Sequence, residues 1–301
     1  AKVQGQLSVG TGFESNPQDY LELDDTRALV SRWGVNGNPK QRAFDAGNDL
    51  LIINTRTPSI VASIAMPVYD DGIPPRPASL TRVGTSVAVV LQRISEDFAT
   101  VGDTEIVRID ASSLNIVQTL RLSGVSNCGR LTQRPVDTGY AVACTGPLDA
   151  YGGSADLSRA GLVVFGVADN GDLVEQLRIR AQDISGEALQ SQFDFANHDI
   201  ALVKTQTPQG GNTNNRLLAL DLAAHAVTPL VEAHPGSDGT GQGLTYGSVI
   251  CAPGCSSVCL LADGDQGLLR RFDMSQTPAV ELPSIDVAGG AGLLPRQLAR
   301  F

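Results

Sequence analysis

An all-β fold made of repeated four-stranded antiparallel sheets is predicted by three observations. A short motif comes round five times: NTRTPSIV at 54–61, DASSLNIV at 110–117, VADNGDLV at 167–174, DLAAHAV at 221–227 and DMSQTPAV at 273–280. The copies start at intervals of 56, 57, 54 and 52 residues. Each follows a short apolar run (LLII, EIVRI, LVVFG, LLAL, LLRRF) and precedes a second one, so each reads as the turn between two strands. A steady period of this length, built from strand–turn–strand units, is how a β-propeller or a related repeat array appears in sequence.

Aligned on that motif, every copy divides into strands A to D. The first has them at 16–24, 27–34, 49–55 and 59–67, and the second at 77–84, 86–94, 103–111 and 115–124. The third has them at 128–136, 140–148, 161–169 and 173–181, and the fourth at 189–197, 199–207, 216–224 and 226–234. The fifth has them at 244–252, 258–266, 267–275 and 279–287. The D strands alternate: Ile60, Ala62, Ile64 and Met66 share one face, and Val117, Thr119 and Arg121 oppose Ile116, Gln118 and Leu120. The B strands are nearly continuous apolar runs, as strands buried on both faces should be. One propeller domain is therefore expected over residues 1–301, with repeats at 16–67, 77–124, 127–181, 189–234 and 244–288. Residues 2–10 read as a leftover D strand and residues 292–301 as a leftover A strand. These flank five complete repeats in a ring of five to seven blades. The long B–C connections, 34–48 and 146–160, read as excursions from one rim, where loops of this length carry function or disorder.

Hydrophobic residues make up 42% of the 301, enough for a sizeable core. With only 5% aromatic, that core must rest on Val, Ile, Leu and Ala, which suit half-buried pleated surfaces. The net charge of −10 makes the chain acidic and repels phosphate backbones, so no nucleic-acid partner is expected. No apolar run reaches the roughly 18 residues needed to span a bilayer as a helix, so no transmembrane segment is expected. The chain starts at Ala1 without a leader pattern, as a mature exported protein would and as a partial chain would.

Residues 28–34 (ALVSRWG) followed by 49–67 (DLLIINTRTPSIVASIAMP) resemble the YVTN-type surface-layer propeller repeat. In that repeat a strand reading YVTN precedes a V-x-V-I-D-x-x-T-x-x-V-x-x-I pattern. Residues 104–124 (TEIVRIDASSLNIVQTLRLSG) are similar to its second half. The third copy departs from the pattern with Val167 in place of the Asp, and the fifth with RRF in place of an apolar strand. The style of CAPGCSSVCLLAD also resembles secreted and lipoprotein propellers of bacteria. The resemblance implies an exported location and a binding or structural role.

Five cysteines bear on the compartment. Cys128 and Cys144 straddle one predicted A–B hairpin, and Cys251 and Cys259 straddle another, so each pair is a candidate cross-strand disulfide. Reduced, buried thiols are the alternative. Cys255 is left over, as a free thiol, an intermolecular partner or a substitute within the second pair. A Cys-x3-Cys-x3-Cys zinc site lacks a nearby fourth ligand.

Asp263 and Asp265 have the spacing of a short calcium loop, although Asp-Gly pairs are also ordinary hairpin turns. Otherwise no cofactor and no catalytic residue is expected. His198, His225 and His234 fall at turn or rim positions, and no G-x-S-x-G, P-loop or H-E-x-x-H motif occurs. Residues 236–243 (GSDGTGQG) precede a strand rather than a helix and read as a linker. Channel-side polar residues are expected near the A-strand starts: Asn16, Gln18, Asp19, Arg76, Thr81, Asn127, Arg130, Gln190, Gln192, Arg296 and Gln297. Propeller lactonases hold a channel metal with Glu, Asp and Asn, and only Asn16 and Asp19 match that set. The function expected is a non-catalytic, exported binding or scaffolding propeller in the periplasm or at the cell surface. It would meet a protein or glycan partner through rim loops or channel mouth. A propeller lactonase or hydrolase with a channel metal, and a subunit of a larger envelope assembly, are the alternatives.

Overall fold

The computed structural model describes residues 5–135, 139–147, 156–209, 212–232, 247–252, 257–264, 266–287, 295 and 298, with only the backbone of 206–209 and 212–215. Among these are five antiparallel sheets in which strands adjacent in sequence are adjacent in space. The first holds β1 (Pro17–Glu22), β2 (Arg27–Val35), β3 (Gly47–Asn54) and β4 (Ser59–Ala65), and the second β5 (Pro77–Val83), β6 (Ser86–Leu91), β7 (Glu105–Asp110) and β8 (Ile116–Arg121). The third holds β9 (Thr132–Gln133), β10 (Tyr140–Cys144), β11 (Gly161–Val167) and β12 (Leu173–Arg180). In the fourth, β13 (Ala188–Leu189) and β14 (Asp194–Phe195) both pair with β15 (Ile200–Gln209), followed by β16 (Asn212–Asp221) and β17 (Val227–Val231). The fifth holds β18 (Val249–Cys251), β19 (Val258–Asp263), β20 (Leu268–Asp273) and β21 (Val280–Asp286). Two compact units contain them: Ala1–Leu131 with Asp169–Asp172, and Thr132–Ala168 with Leu173–Phe301.

Within the first unit the apolar strands explain themselves through pleating. Leu29 of β2 and Leu50 and Ile52 of β3 point to the second sheet, where they meet Leu80, Val87, Val89, Leu91, Val107 and Ile109. Their neighbours Ala28, Val30, Leu51 and Ile53 point to the opposite face and pack with Leu7, Val9 and Phe44. Both faces are buried, so β2 and β3 cannot alternate apolar with polar. In the second unit, sheets three and four share a core around Leu162, Val164, Phe195 and Val203. Sheets four and five share another around Leu202, Leu217, Val249 and Leu261.

All five C–D pairs carry a register shift, at Ile52/Ile53, Arg108/Ile109, Val164/Phe165, Leu217/Leu218 and Leu269/Arg271. An extra residue at that point sharpens the local twist of the outer strand. The repeated motif is the turn that follows. Asn54, Asp110 and Asp221 each accept the backbone N–H two and three residues on, through Oδ1. In the third hairpin, where Val167 replaces the Asp, Asn170 accepts from the Asp172 N–H instead.

The fifth hairpin makes the acid titration explicit. Asp273 Oδ1 accepts from the Ser275 N–H at 3.0 Å, the Ser275 hydroxyl at 2.7 Å and the Ser257 hydroxyl at 2.8 Å. These bonds, the backbone one first, hold its carboxyl at about 2 against 3.8 for a free side chain. The carboxylate's contribution is therefore complete above pH 3.8 and is lost as the pH falls through about 2. An NMR titration of the Asp273 carboxyl carbon is expected to give a midpoint near 2, and a midpoint at 3.8 would refute the assignment.

Three elements differ from expectation. Residues 5–10, expected as part of a D strand, lie in no strand. The segment is held by side chains instead: Leu7 and Val9 pack on the outer face of the first sheet, and the Val9 carbonyl accepts from Arg32 Nη1 at 3.3 Å. The third A strand shrinks to β9, because the Gly129 and Leu131 carbonyls accept from the Ser79 and Thr81 hydroxyls. The fourth B–C hairpin is longer than expected and stays paired to Gln209↔Asn212. The C-terminal A strand expected over 292–301 falls almost wholly outside the described residues, although the Leu298 N–H donates to Ser248 Oγ at 2.7 Å.

Candidate functional site

The end of β2 starts the site. Past Arg32 the pairing of β2 with β3 slips, and the Trp33 and Gly34 N–H groups bond the Asn16 and Ser15 carbonyls at 3.1 and 2.9 Å. Only glycine fits at 34, since a Cβ there would collide with the Glu14 carbonyl oxygen. This crossing turns the chain's single tryptophan toward the β6–β7 loop. Phe98 of that loop stacks on Trp33 with centroids 5.6 Å apart and planes at 24°. Arg76 Cζ lies 4.0 Å from the Trp33 ring centroid, and Trp33 Nε1 donates to Gln92 Oε1 at 3.0 Å. The Arg76 guanidinium is itself fixed, donating to the Ile94 and Trp33 carbonyls at 3.0 and 2.9 Å, and burial lowers its pKa.

Phe98 is 61% exposed and has φ +61°, the left-handed region that a bulky residue avoids. Backbone of this kind persists where its surroundings hold it, and it concentrates at binding sites. Here the surroundings are the Phe98 N–H bond to the Ser95 carbonyl, the Ser95 N–H bond to Thr100, and the Ile94↔Val101 bridge.

Behind the loop, Arg93 is 1% exposed and joins three groups. Its Nη2 reaches both Asp71 oxygens at 2.6 Å, its Nη1 lies 3.6 Å from Glu105 Oε1, and its Cζ sits 3.7 Å from the Tyr69 ring centroid. The Tyr69 hydroxyl donates to the other Glu105 oxygen. Burial first, then that bond to Glu105, pushes the Tyr69 phenol above its ordinary range. The cluster clamps the D–A linker of the first two sheets to the β6–β7 loop. What results is an exposed aromatic face with fixed polar neighbours, able to stack on a flat or apolar ligand surface.

The expected channel-side residues do different work. Asp19 Oδ2 accepts from the Leu80 N–H at 2.7 Å and from Arg130 Nη2 at 2.6 Å, while its Oδ1 accepts from the Tyr20 N–H. Asn16 Oδ1 accepts from Gln18 Nε2 at 2.7 Å. Thr81 donates to Leu131, as above, and Arg76 belongs to the aromatic cluster. Asn127 is buried with φ +51°. In the second unit Gln192 exchanges two hydrogen bonds with the Val249 backbone, and the Gln190 N–H donates to the Lys204 carbonyl. Arg296 and Gln297 lie outside the described residues.

The structure adds Asp194, which repeats the Asp19 arrangement: Oδ1 on the next N–H, Phe195, and Oδ2 on the N–H of the following sheet's first strand, Cys251 at 2.8 Å. An acid followed by an aromatic residue in an A strand was the available signal. Lys204 was also unforeseen. It is 3% exposed, donates to the Gly247 carbonyl at 2.9 Å, and is lowered to about 8 by burial.

Cys251 and Cys259 face each other across β18 and β19 and are disulfide-bonded. Cys128 and Cys144 are disulfide-bonded as well. Cys255, Asp265, His234 and the 236–243 stretch lie outside the described residues. Asp263 is 1% exposed, accepts from the Gln266 N–H and lies 3.9 Å from Arg270. His198 Nδ1 sits 2.7 Å from Asp199 Oδ1 and against Arg134, and His225 occupies a turn at φ +54°. Among the described residues no three His, Cys, Asp or Glu side chains converge as metal ligands. No helix there is long and apolar enough to cross a membrane.

Five antiparallel sheets of four or five strands in chain order define a β-propeller-type fold, and the similar solved structures are proteins of that type. The chain aligns over 87% of its length with a hypothetical selenium-binding protein from Sulfolobus tokodaii, at TM-score 0.53 and 10% identity, covering 59% of that protein. It aligns over 92% with a 6-phosphogluconolactonase-like protein from Bacteroides fragilis, at 0.52 and 10%, covering 72% of it. With the dihydro-heme d1 dehydrogenase NirN it aligns over 90%, at 0.51 and 13%, covering 46% of that chain. No protein-family model and no curated protein matches the sequence. At this identity the likeness establishes the fold alone.

Proposed function

We propose that the chain is a non-catalytic binding propeller, exported to the periplasm or cell surface, whose B–C rim recognises a protein or glycan partner. The observation that carries this is Phe98, exposed, backbone-strained and stacked on Trp33 over a buried arginine cluster. Aromatic residues held rigidly at a surface lose little entropy on binding and dominate many interfaces. Disulfide-bonded cysteines fit an oxidising compartment and so favour export. The five repeats are read as blades of one ring of five to seven, with the YVTN-type resemblance strongest in the first two.

A propeller hydrolase is the second reading, favoured by the lactonase-like name among the fold neighbours. Its metal candidates, Asp19 and Asn16, already have oxygens committed to Leu80, Arg130 and Gln18, which argues against it. A subunit of a larger envelope assembly would use the same rim.

Trp33, the chain's single tryptophan, is a built-in reporter. Titration with a panel of soluble envelope oligosaccharides and peptides is expected to give a saturable change in its emission. Phe98→Ala should weaken that binding at least about tenfold, as loss of a central aromatic contact does. Binding unaffected by Phe98→Ala would remove the rim from the proposal.

A further inference from the structure

The first unit holds an open depression of 520 Å3, lined by Ser8, Gly10, Thr11, Gly12, Phe13 and Arg42. We infer that it binds an oxyanion, meaning the carboxylate, sulfate or phosphate group of a small ligand or an acidic sugar, with Arg42 supplying the charge. The site does not depend on the aromatic rim.

Arg42 lines the depression without a counter-charge among the described residues, unlike six arginines of its unit. Arg27, Arg32, Arg93, Arg108, Arg121 and Arg130 of the same unit each pair with a carboxylate. The Arg42 guanidinium makes no hydrogen bond or ion pair among the described residues, in a chain of net charge −10. Lys40, on the same loop, adds a second unpaired cation among the described residues. Glu14 is the acid nearest the turn in sequence and is not among the lining residues.

Both walls are fixed before any ligand arrives. Asp45 is 5% exposed and accepts from the Lys40, Gln41 and Arg42 N–H groups at 2.8, 2.7 and 2.8 Å. Burial raises the carboxyl pKa, but these backbone bonds outweigh that and hold it below the usual range. The loop that presents Arg42 is thus wrapped around a carboxylate, leaving the cationic side chains outside. On the opposite wall the Phe13 N–H closes a turn on the Gly10 carbonyl. The Thr11 hydroxyl pins that turn by donating to the Phe44 carbonyl at 2.9 Å and accepting from Arg32 Nη1 at 2.6 Å.

Gly12 has φ +99°, and a Cβ there would stand 2.8 Å from Arg42 Cδ, so the arginine lies directly across the turn. The Thr11 and Gly12 amides donate to no acceptor among the described residues. The Ser8 hydroxyl accepts from the Gly10 N–H at 3.4 Å, which leaves its own proton to donate. A guanidinium, a hydroxyl and free backbone amides around one depression form the donor set that oxyanions require. The volume falls within the range of about 300–1,000 Å³ typical of small-molecule sites.

The test is isothermal titration of the full chain at low ionic strength with sodium sulfate, sodium phosphate, a sulfated or uronic-acid oligosaccharide, and its neutral counterpart. Saturable binding of at least one anion, none of the neutral sugar, and a loss of tenfold or more in Arg42→Gln is expected. The melting midpoint of Arg42→Gln should not move, because the side chain makes no bond to lose. Arg42→Lys should retain part of the affinity, since charge survives but the planar fork does not. Equal affinity for free sulfate and the acidic oligosaccharide assigns the site to free anions, and a clear preference for the oligosaccharide assigns it to acidic glycans. No binding by any anion, binding of the neutral sugar with the same affinity, or unchanged binding in Arg42→Gln overturns the inference.

Discussion

Replacing Asp49 with alanine is expected to destabilise the protein by about 3–5 kcal/mol, because it strands a buried guanidinium without its counter-charge. Arg32 and Asp49 are 0% and 3% exposed and meet through a two-point fork, Nε to Oδ1 at 2.8 Å and Nη2 to Oδ2 at 2.7 Å. The same guanidinium also donates to Thr11, Val9 and the Phe44 carbonyl, so it ties the N-terminal segment and the β2–β3 loop to the first sheet. Loss of Asp49 should loosen both walls of the oxyanion depression together. Urea unfolding of Asp49→Ala measures the cost, and amide exchange at residues 9–13 and 36–46 measures the loosening. The double replacement Arg32→Met with Asp49→Leu is the decisive companion. An apolar pair of similar volume should recover most of the loss, since a buried ion pair gains little over well-packed hydrophobes. If the double variant is as unstable as Asp49→Ala, the hydrogen bonds of Arg32 to the N-terminal segment, rather than its charge balance, carry the stability.

Arg93→Ala should cost a similar amount, about 3–5 kcal/mol, because it leaves Glu105 charged and buried. Glu105 is 3% exposed and, among the described residues, would keep the Tyr69 hydroxyl as its side-chain donor. The variant also removes the cation stacked on Tyr69 and the fork to Asp71, so the D–A linker loses its clamp. Arg93→Lys preserves the charge without the planar fork and should fall between the two. Denaturant unfolding followed by Trp33 emission reads both global stability and the Phe98 loop. A loss in Arg93→Ala below about 1 kcal/mol would mean that Glu105 takes up a proton or water instead.

Much of the architecture was legible because it rests on local rules. Strand order, the five A–B–C–D groupings and the C–D turns follow from apolar runs between Asx residues, and Asn54, Asp110, Asp221 and Asp273 all cap hairpins as their chemistry requires. The terminal strand expected over residues 2–10 fails over the described part, 5–10, where pattern and packing part ways. Its alternating residues do pack on the sheet, but its backbone bonds side chains rather than a ladder.

The candidate sites were less legible. Loops 34–48 and 94–103 lie far apart in sequence, and nothing in either names the other. Trp33 meets Phe98 because Gly34 lets two backbones cross and because Arg76 and Arg93 fix the neighbouring linker. Asp19 looked like a possible metal ligand by residue type, and its neighbours made it a bridge to Leu80 and Arg130. Arg42 looked like one charge among 22 lysines and arginines until the fold gave acids to Arg32, Arg93 and other arginines of its unit and left Arg42 facing an open depression.

The amino-acid sequence by itself determined the all-β class, the repeat and the turn positions, since pleating and turn chemistry act between residues a few positions apart. The tertiary structure alone decided which side chains from separate loops face one another, which charges are compensated and which surfaces stay open. Those depend on the packing of one sheet against the next, and no short-range pattern encodes it.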